Sequence, residues 1–464
     1  MTSPSDEHAG VTTVRRLLWL YCILWLIEGA LRKWVLPQLS AALLLVRDPV
    51  VLLIYYYASR ARVFPSNGWM SAFWIISALL GIQSLFHLVA SNMPPDVIAF
   101  GFRTFVLHMP LIWVVPAVIG RKEIVLMGKW VLCIAPFLAG LMVIQFDLPK
   151  DHWLNAASLR GGEQIGSGMG KIRPPGFFSF IQGPINFFTI CPALIIGGFL
   201  HPKSFPRWLM MVGILSTLAA VAVSGSRGMF LNCVVVCLFG AIAAIRSGKS
   251  IGGLVFVVVC VVAGTAFLSK FEIMRTGQEI MQERWTNVGE EGEGMTGSRA
   301  MAERVGGIFG SAATWAVEAP LFGFGAGSSS NLGQERTRRF APVETEWERV
   351  IYEMGPVTAL IYLLFRGAFA IGLVVWGFKA MRSGNYFCLL LASASFLDMM
   401  LGNFRQVTSY GYAVVCAGLS LAAQRAFSGE EEVPIAEQVG DVMEEKPKAR
   451  GRGRFAVGGT PMRP

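Results

Sequence analysis

Twelve apolar runs, each long enough to cross a bilayer, leave this 464-residue chain one architecture. A backbone in hydrocarbon must satisfy its own N–H and C=O groups, and a helix of about 20 apolar residues does so across a ~30 Å core. The runs lie at roughly 17–36, 41–58, 69–90, 97–119, 126–146, 183–200, 206–224, 229–245, 251–268, 350–377, 385–402 and 407–425. Hydrophobic residues make up 54 % of the chain and charged residues 15 %. The expected fold is all-α: a polytopic integral membrane protein of about twelve transmembrane helices with a large external loop between helices 9 and 10.

Charge in the loops gives the orientation. The loops at 59–68, 120–125, 201–207, 246–250 and 378–384 are all basic, while those at 37–40 and 91–96 have no basic residue. Basic loops stay on the cytoplasmic side, so both termini are expected there, and the 147–182 and 269–348 loops outside. Two short outer turns break the pattern with one arginine each, Arg227 and Arg405. The net charge of +10 is spread over short loops, which points away from nucleic acid. All eight cysteines fall in apolar segments, so no disulfide framework or zinc site is indicated. Arg15-Arg16 precede the first run and no small-residue cleavage pattern follows it, which predicts an uncleaved first helix. The chain is expected to divide into a cytoplasmic segment (1–16), a transmembrane domain that includes the two long external loops (17–428) and a disordered cytoplasmic tail (429–464).

Charges inside membrane spans are costly and mark either function or helix-locking pairs. Glu28 precedes Arg32 by four residues and Lys33 by five, a spacing that pairs within one helix. Arg47-Asp48, Arg103 and Asp398 are embedded in the same way.

The polar interval Ser269–Glu348 holds seven Arg, one Lys, twelve Glu and no Asp. Guanidinium forks grip phosphate and carboxylate in bidentate fashion, so this bias suits an active-site lobe. Within it, Ser298 is placed to cap a helix from Arg299 to about Glu318, with Met301, Val305, Ile308, Ala312 and Trp315 as its apolar stripe and Arg304 bordering it. Pro320 to Gly327 then breaks that helix. Glu344, Glu346 and Glu348 flank Trp347 where the interval returns to the membrane. They read either as a solvated rim with an interfacial tryptophan or as a desolvated general base. Gly225-Ser226-Arg227-Gly228 sets an arginine at the outer surface, either snorkelling or facing a lipid diphosphate, and Arg173-Pro174-Pro175-Gly176 makes a rigid return from the first outer loop.

Together, Gly-Ser-Arg-Gly opening a span, the Arg-led helix ending in Pro-Leu-Phe-Gly-Phe-Gly-Ala-Gly, and Trp-Glu-Arg-Val-Ile-Tyr-Glu-Met-Gly resemble the O-antigen ligase and Wzy-type O-antigen (exopolysaccharide) polymerase superfamily over roughly 173–365. Arg-Pro-Pro-Gly-Phe-Phe is similar to that family's first outer-loop motif. The resemblance implies a metal-independent, inverting glycosyltransferase with no cofactor, acting on a glycan donor linked to undecaprenyl diphosphate. Its acceptor would be a glycan, a lipid or a protein, with chain-length regulator or export proteins as further partners. It implies diphosphate binding by Arg227 and Arg304, with Arg299 the second choice on the large loop. Arg173, Ser226, Glu346 and Trp347 would line the substrate. Where the family has a His-Asn pair, eleven residues before the glycine matching Gly355, this chain has Glu344-Thr345. Glu344 then stands as the expected base, or the chemistry is altered in a divergent branch. Polymerisation is the first expectation, ligation to lipid or protein the nearest alternative, and a transporter or flippase the rival of another class.

Overall fold

The computed structural model describes residues 4–158, 164–248, 251–286, 297–338, 341 and 343–427. The expected tail at 429–464 lies outside the described residues, as do the side chains of Arg299 and Arg304. The described chain is helical apart from one short antiparallel pair, β1 (Gly166–Gly168) with β2 (Lys171–Ile172).

Helices occupy the apolar runs in order. α1 (Pro4–Ala30) continues into a π-helical turn at Leu31–Val35, and α2 (Ser40–Leu43) and α3 (Asp48–Arg60) follow. α4 (Gly68–Ala90) starts at Asn67, whose side chain accepts from Met70 N at 3.0 Å. α5 (Pro95–Val106) and α6 (Leu111–Val118) meet at a 45° bend beside Pro110, which cannot continue the ladder. Next come α7 (Arg121–Asp147), α8 (Gln182–Leu200), α9 (Arg207–Ser224), α10 (Arg227–Ser247) and α11 (Ile251–Leu268). The polar interval is not bare loop: it forms α12 (Glu272–Thr286), α13 (Gly297–Glu318) and α14 (Asn331–Thr337). α15 (Glu346–Met381), α16 (Phe387–Leu401) and α17 (Val407–Ala426) complete the fold. Among the described residues, eight helices are long and apolar enough to cross a membrane, or nine if the bent α5–α6 pair is one span. The protein is therefore a multi-pass membrane protein. α8 sits at the centre, with 83 % of its apolar window buried against 17 % for the first span.

The embedded charges lock helices. Glu28 holds Arg32 at 3.4 Å, as its spacing predicts, and also Arg47 at 3.0 Å. Asp48 takes Arg103 and, at 3.1 Å, His108. These pairs tie α1, α3 and α5 into one block.

α15 departs most from the sequence expectation of a single run at 350–377. Gly355 breaks it with φ 73° and ψ 165°, and Pro356 follows. Arg366 Nη1 donates to Glu346 Oε1 at 2.8 Å across twenty residues. A straight helix would hold those residues about 30 Å apart. The chain therefore doubles back at Gly355, and Glu346–Met354 lies as a short arm against the longer arm. Pro356 offers no N–H to the Tyr352 carbonyl, so the break orphans backbone acceptors. Phe324 N donates to Tyr352 O (2.8 Å), Gly325 N to Glu353 O (3.1 Å) and the Gln83 side chain to Met354 O (3.0 Å). This explains the glycine run after Pro320. A Cβ on Gly323 would sit 2.4 Å from Gly355 N, so two glycines permit the backbones to touch.

Candidate functional site

The ends of these elements enclose a cleft of about 600 Å3, a size usual for ligand sites. Its lining comes from widely separated segments: the π-helical turn (Arg32), the middle of α5 (Phe100), the first large loop (Ser158, Ser179, Phe180), the start of α8 (Gln182), α14 with its cap (Ser330, Asn331) and the turn between α16 and α17 (Arg405, Gln406). Leu44 and Leu45 give it an apolar flank, and Leu45 is itself exposed on the outer surface.

Two arginines line it: Arg32, which is paired with Glu28 at 3.4 Å, and Arg405. Arg32 is buried and oriented by Ser40 O at 2.9 Å and Ser179 Oγ at 3.3 Å. The π-turn that carries it re-aims the side chain, a device common at functional sites. Arg405 donates to Ser329 O at 3.0 Å and forms no salt bridge among the described residues. Burial pulls its guanidinium pKa below the ordinary value, and the nearby Arg349 pushes the same way. A desolvated cation facing a cleft favours an anion that would relieve it.

Beneath the cleft lies a closed charge network built by the doubled-back α15. The Glu346 carboxylate takes both Nε and Nη2 of Arg349 at 2.8 Å, and Arg366 at 2.8 Å. Arg366 also donates to Met399 O (3.1 Å) and Gly402 O (3.0 Å), and lies 3.7 Å from the Phe404 ring centroid. Glu353 receives Gly327 N (2.9 Å), Ser329 N (3.3 Å) and the Ser329 hydroxyl, and Arg349 stands 3.5 Å from it. Glu353 thus pins the very segment against which Arg405 rests.

The sequence-predicted residues fall into separate groups. Glu346 is 2 % exposed and belongs to the network, so it is a structural acceptor, not a substrate contact. Trp347 donates to Met400 O at 3.2 Å and meets Phe309 of α13 edge-on at 4.9 Å. Glu344 is exposed, so the desolvation expected for it is absent. Its place outside the α15 arm explains this: Thr345 caps that arm, and Glu348 closes the capping box by accepting Thr345 N at 3.0 Å, with Glu344 N donating to the same carboxylate at 2.7 Å.

Arg227 and Ser226 lie at the α9–α10 turn, outside the cleft lining. Gly225 ends α9 in the left-handed region (φ 54°), and Ser226 caps α10 by accepting Met229 N at 3.4 Å. Arg227 Nη1 donates to the Arg284 carbonyl at 3.1 Å, which fastens α12 to this turn. Arg173 follows β2, with its N–H on Ile165 O at 2.8 Å. The Pro-Pro-Gly return is tied on both sides of Gly176: Lys33 Nζ donates to Gly176 O and Gln145 Oε1 accepts Gly176 N, both at 2.7 Å.

Sequence reasoning passed over Arg32 and Arg366 as site components. It noted Arg405 only as an exception to the loop-charge pattern and gave it no role, and Arg405 lines the cleft. The fold-back that buries Glu346 against Arg366 has no periodic signature, although Gly355-Pro356 within an apolar run marks the break. No protein-family model matches this chain, and no curated protein matches it.

Proposed function

We propose that the chain is a membrane glycosyltransferase that polymerises oligosaccharide units carried on undecaprenyl diphosphate, working on the outer face of a bacterial inner membrane. The observation that carries this reading is the large cleft, where two arginines, several amide and hydroxyl side chains and an apolar flank come together. A lipid-linked glycan needs all three: forks for the diphosphate, hydrogen bonds for the sugar, and an apolar path for the prenyl chain. In the proposed topology twelve helices cross the bilayer, both termini are cytoplasmic and the cleft opens outside.

In this mechanism Arg405 and Arg32 hold the diphosphate. An acceptor hydroxyl attacks the anomeric carbon from the face opposite the diphosphate. The new C–O bond forms as the bond to the phosphate oxygen breaks, and undecaprenyl diphosphate leaves with the electron pair. The arginines stabilise the charge developing on that oxygen, a preorganised contribution of the oxyanion-hole kind. The acceptor proton passes to a base. Glu344 remains the proposed base on the strength of its position in the sequence motif: it is an exposed carboxylate and lines neither cleft. Ligation to a lipid or protein acceptor differs only in what supplies that hydroxyl.

The broken α15 also favours a second reading, because interrupted helices recur at transporter binding sites. One reconstitution separates the two. Purified protein in liposomes loaded with lipid-linked oligosaccharide should yield a ladder of longer carrier-linked glycans. Movement of the substrate across the bilayer with no new glycosidic bond would establish transport instead. In cells, deletion should remove the ladder and leave single carrier-linked units. Long chains stranded on the carrier would identify a ligase.

A further inference from the structure

We propose that a second, smaller cleft on the other side of the Ser328–Ser330 segment is a saccharide subsite that holds the acceptor glycan. It has a volume of about 210 Å3 and is bounded by the 91–94 turn, the glycine run, α14 and the short arm of α15. One wall is aromatic: Phe324 stacks on Tyr352 with centroids 4.4 Å apart and 26° between planes. Trp315 of α13 supports Tyr352 edge-on at 5.1 Å. Such rings join an apolar face to a polar edge, the surface that a sugar's C–H face and hydroxyl rim complement.

The second observation is independent of the aromatic wall. Ser328 lines this cleft, is 7 % exposed, and its hydroxyl has no hydrogen-bond partner among the described residues. Folded proteins rarely leave a buried hydroxyl unsatisfied, and a ligand hydroxyl would complete it. Asn92, held at φ 47°, presents a further polar side chain in the lining. The cation in that lining, Arg336, is paired with Asp96 at 3.0 Å, so the cleft offers little net attraction to an anion. That charge balance selects a neutral sugar here, whereas the large cleft carries Arg405. Ser330 lines the large cleft, and Ser329 between the two serines receives Arg405. A single tripeptide thus separates a phosphate-seeking site from a sugar-seeking one, as extension of a chain several sugars long requires.

That the sugar bound here is the acceptor rests on the transferase reading, but saccharide binding itself is measurable without turnover. The probe is the oligosaccharide released by mild acid from the producing cells' carrier lipid, added to the full-length protein in detergent and followed by saturation-transfer NMR. Wild type should show transfer to the sugar ring protons. Ser328→Ala removes no protein hydrogen bond, so its thermal midpoint should stay the same or rise. Its Kd for the oligosaccharide should rise about tenfold, the scale of one lost hydrogen bond. Asn92→Ala should also weaken the oligosaccharide while leaving binding of lipid-linked donor unchanged. Absence of saturation transfer in wild type, or an unchanged Kd in a folded Ser328→Ala, overturns the subsite. So does displacement of the sugar by inorganic phosphate. If the protein binds oligosaccharide through Ser328 yet forms no glycosidic bond, the subsite stands and the transferase reading falls. Turnover with no binding at this cleft removes the subsite and leaves the transferase reading standing.

Discussion

Arg405, in a short turn between two buried helices, donates to a carbonyl and forms no salt bridge among the described residues, a setting that an anion would complete. Arg405→Lys keeps the charge and loses the planar fork. If Arg405 grips the departing diphosphate, turnover in the liposome assay should fall by about 100-fold with insertion unchanged, whereas Arg227→Lys should cost less than about tenfold. The opposite ranking would move the clamp to the α9–α10 turn. Two of the three glutamates of the Glu344–Glu348 motif divide by a different measurement. Glu346→Gln leaves two buried guanidinium groups short of a carboxylate and should cost about 3–5 kcal/mol in thermal unfolding, so its activity loss reports folding. Exposed Glu344→Gln should leave stability within about 0.5 kcal/mol. If it is the base, its turnover still falls by about 100- to 10,000-fold. Normal turnover in that variant would remove every role proposed for it.

Helix α15 shows how one dipeptide rewrites an element. Its apolar run was legible, and Gly355-Pro356 lay in plain view, but hydropathy averaged across them and returned one span. The direction of the first arm depends on partners remote in sequence, Gln83 in α4 and Phe324 in the glycine run, which no local pattern reports. Gln83→Leu should therefore lower stability by about 1–3 kcal/mol, because a buried carbonyl loses its donor. Gly355→Ala should be worse, since its Cβ would lie 2.2 Å from Leu321 O on a backbone at φ 73°. A Gly355→Ala protein with wild-type unfolding would mean the arms do not fold back. At the opposite end of α8, His201 accepts Tyr386 N at 3.2 Å and stacks on Phe387. Burial, aided by the charge of Arg121, lowers its pKa from 6.5 to about 4. The unfolded chain then takes up a proton that the folded one refuses, so stability should be full above about pH 6.5 and decline as pH falls toward 4. His201→Gln should flatten that slope in a pH series of thermal midpoints.

At the scale of the whole molecule, hydropathy and loop charge carried most of what could be read. The helices lie where the apolar runs do, because a bilayer solvent leaves the backbone few options. Little of the site was legible. Of the arginines singled out for substrate, Arg173 and Arg227 do not line the large cleft, and the side chains of Arg299 and Arg304 lie outside the described residues. Arg32, which does line it, was read only as the partner of Glu28 because its placement depends on a π-turn. Orientation is tested by reporters fused after Val63, Ser204 and Gly248, expected in the cytoplasm, and one within 286–296, expected outside. An external Gly248 would invert the spans and put both clefts on the wrong side.

The fold-back of α15 also dictates an order of assembly. Glu346, Glu348, Arg349 and Glu353 are too polar to rest in hydrocarbon as part of a nascent span. In the proposed topology that arm is expected to stay outside the bilayer during synthesis while Arg366 enters it ahead of its partner carbonyls. The carbonyls that Arg366 also needs, at Met399 and Gly402, are made later still. The pairing of Glu346 with Arg366 is therefore predicted to be a late event of biogenesis. A cysteine placed at Glu344 and pulse-labelled during synthesis should react quickly at first. Its neighbour at Trp347 should become protected only once α16 and α17 have been inserted.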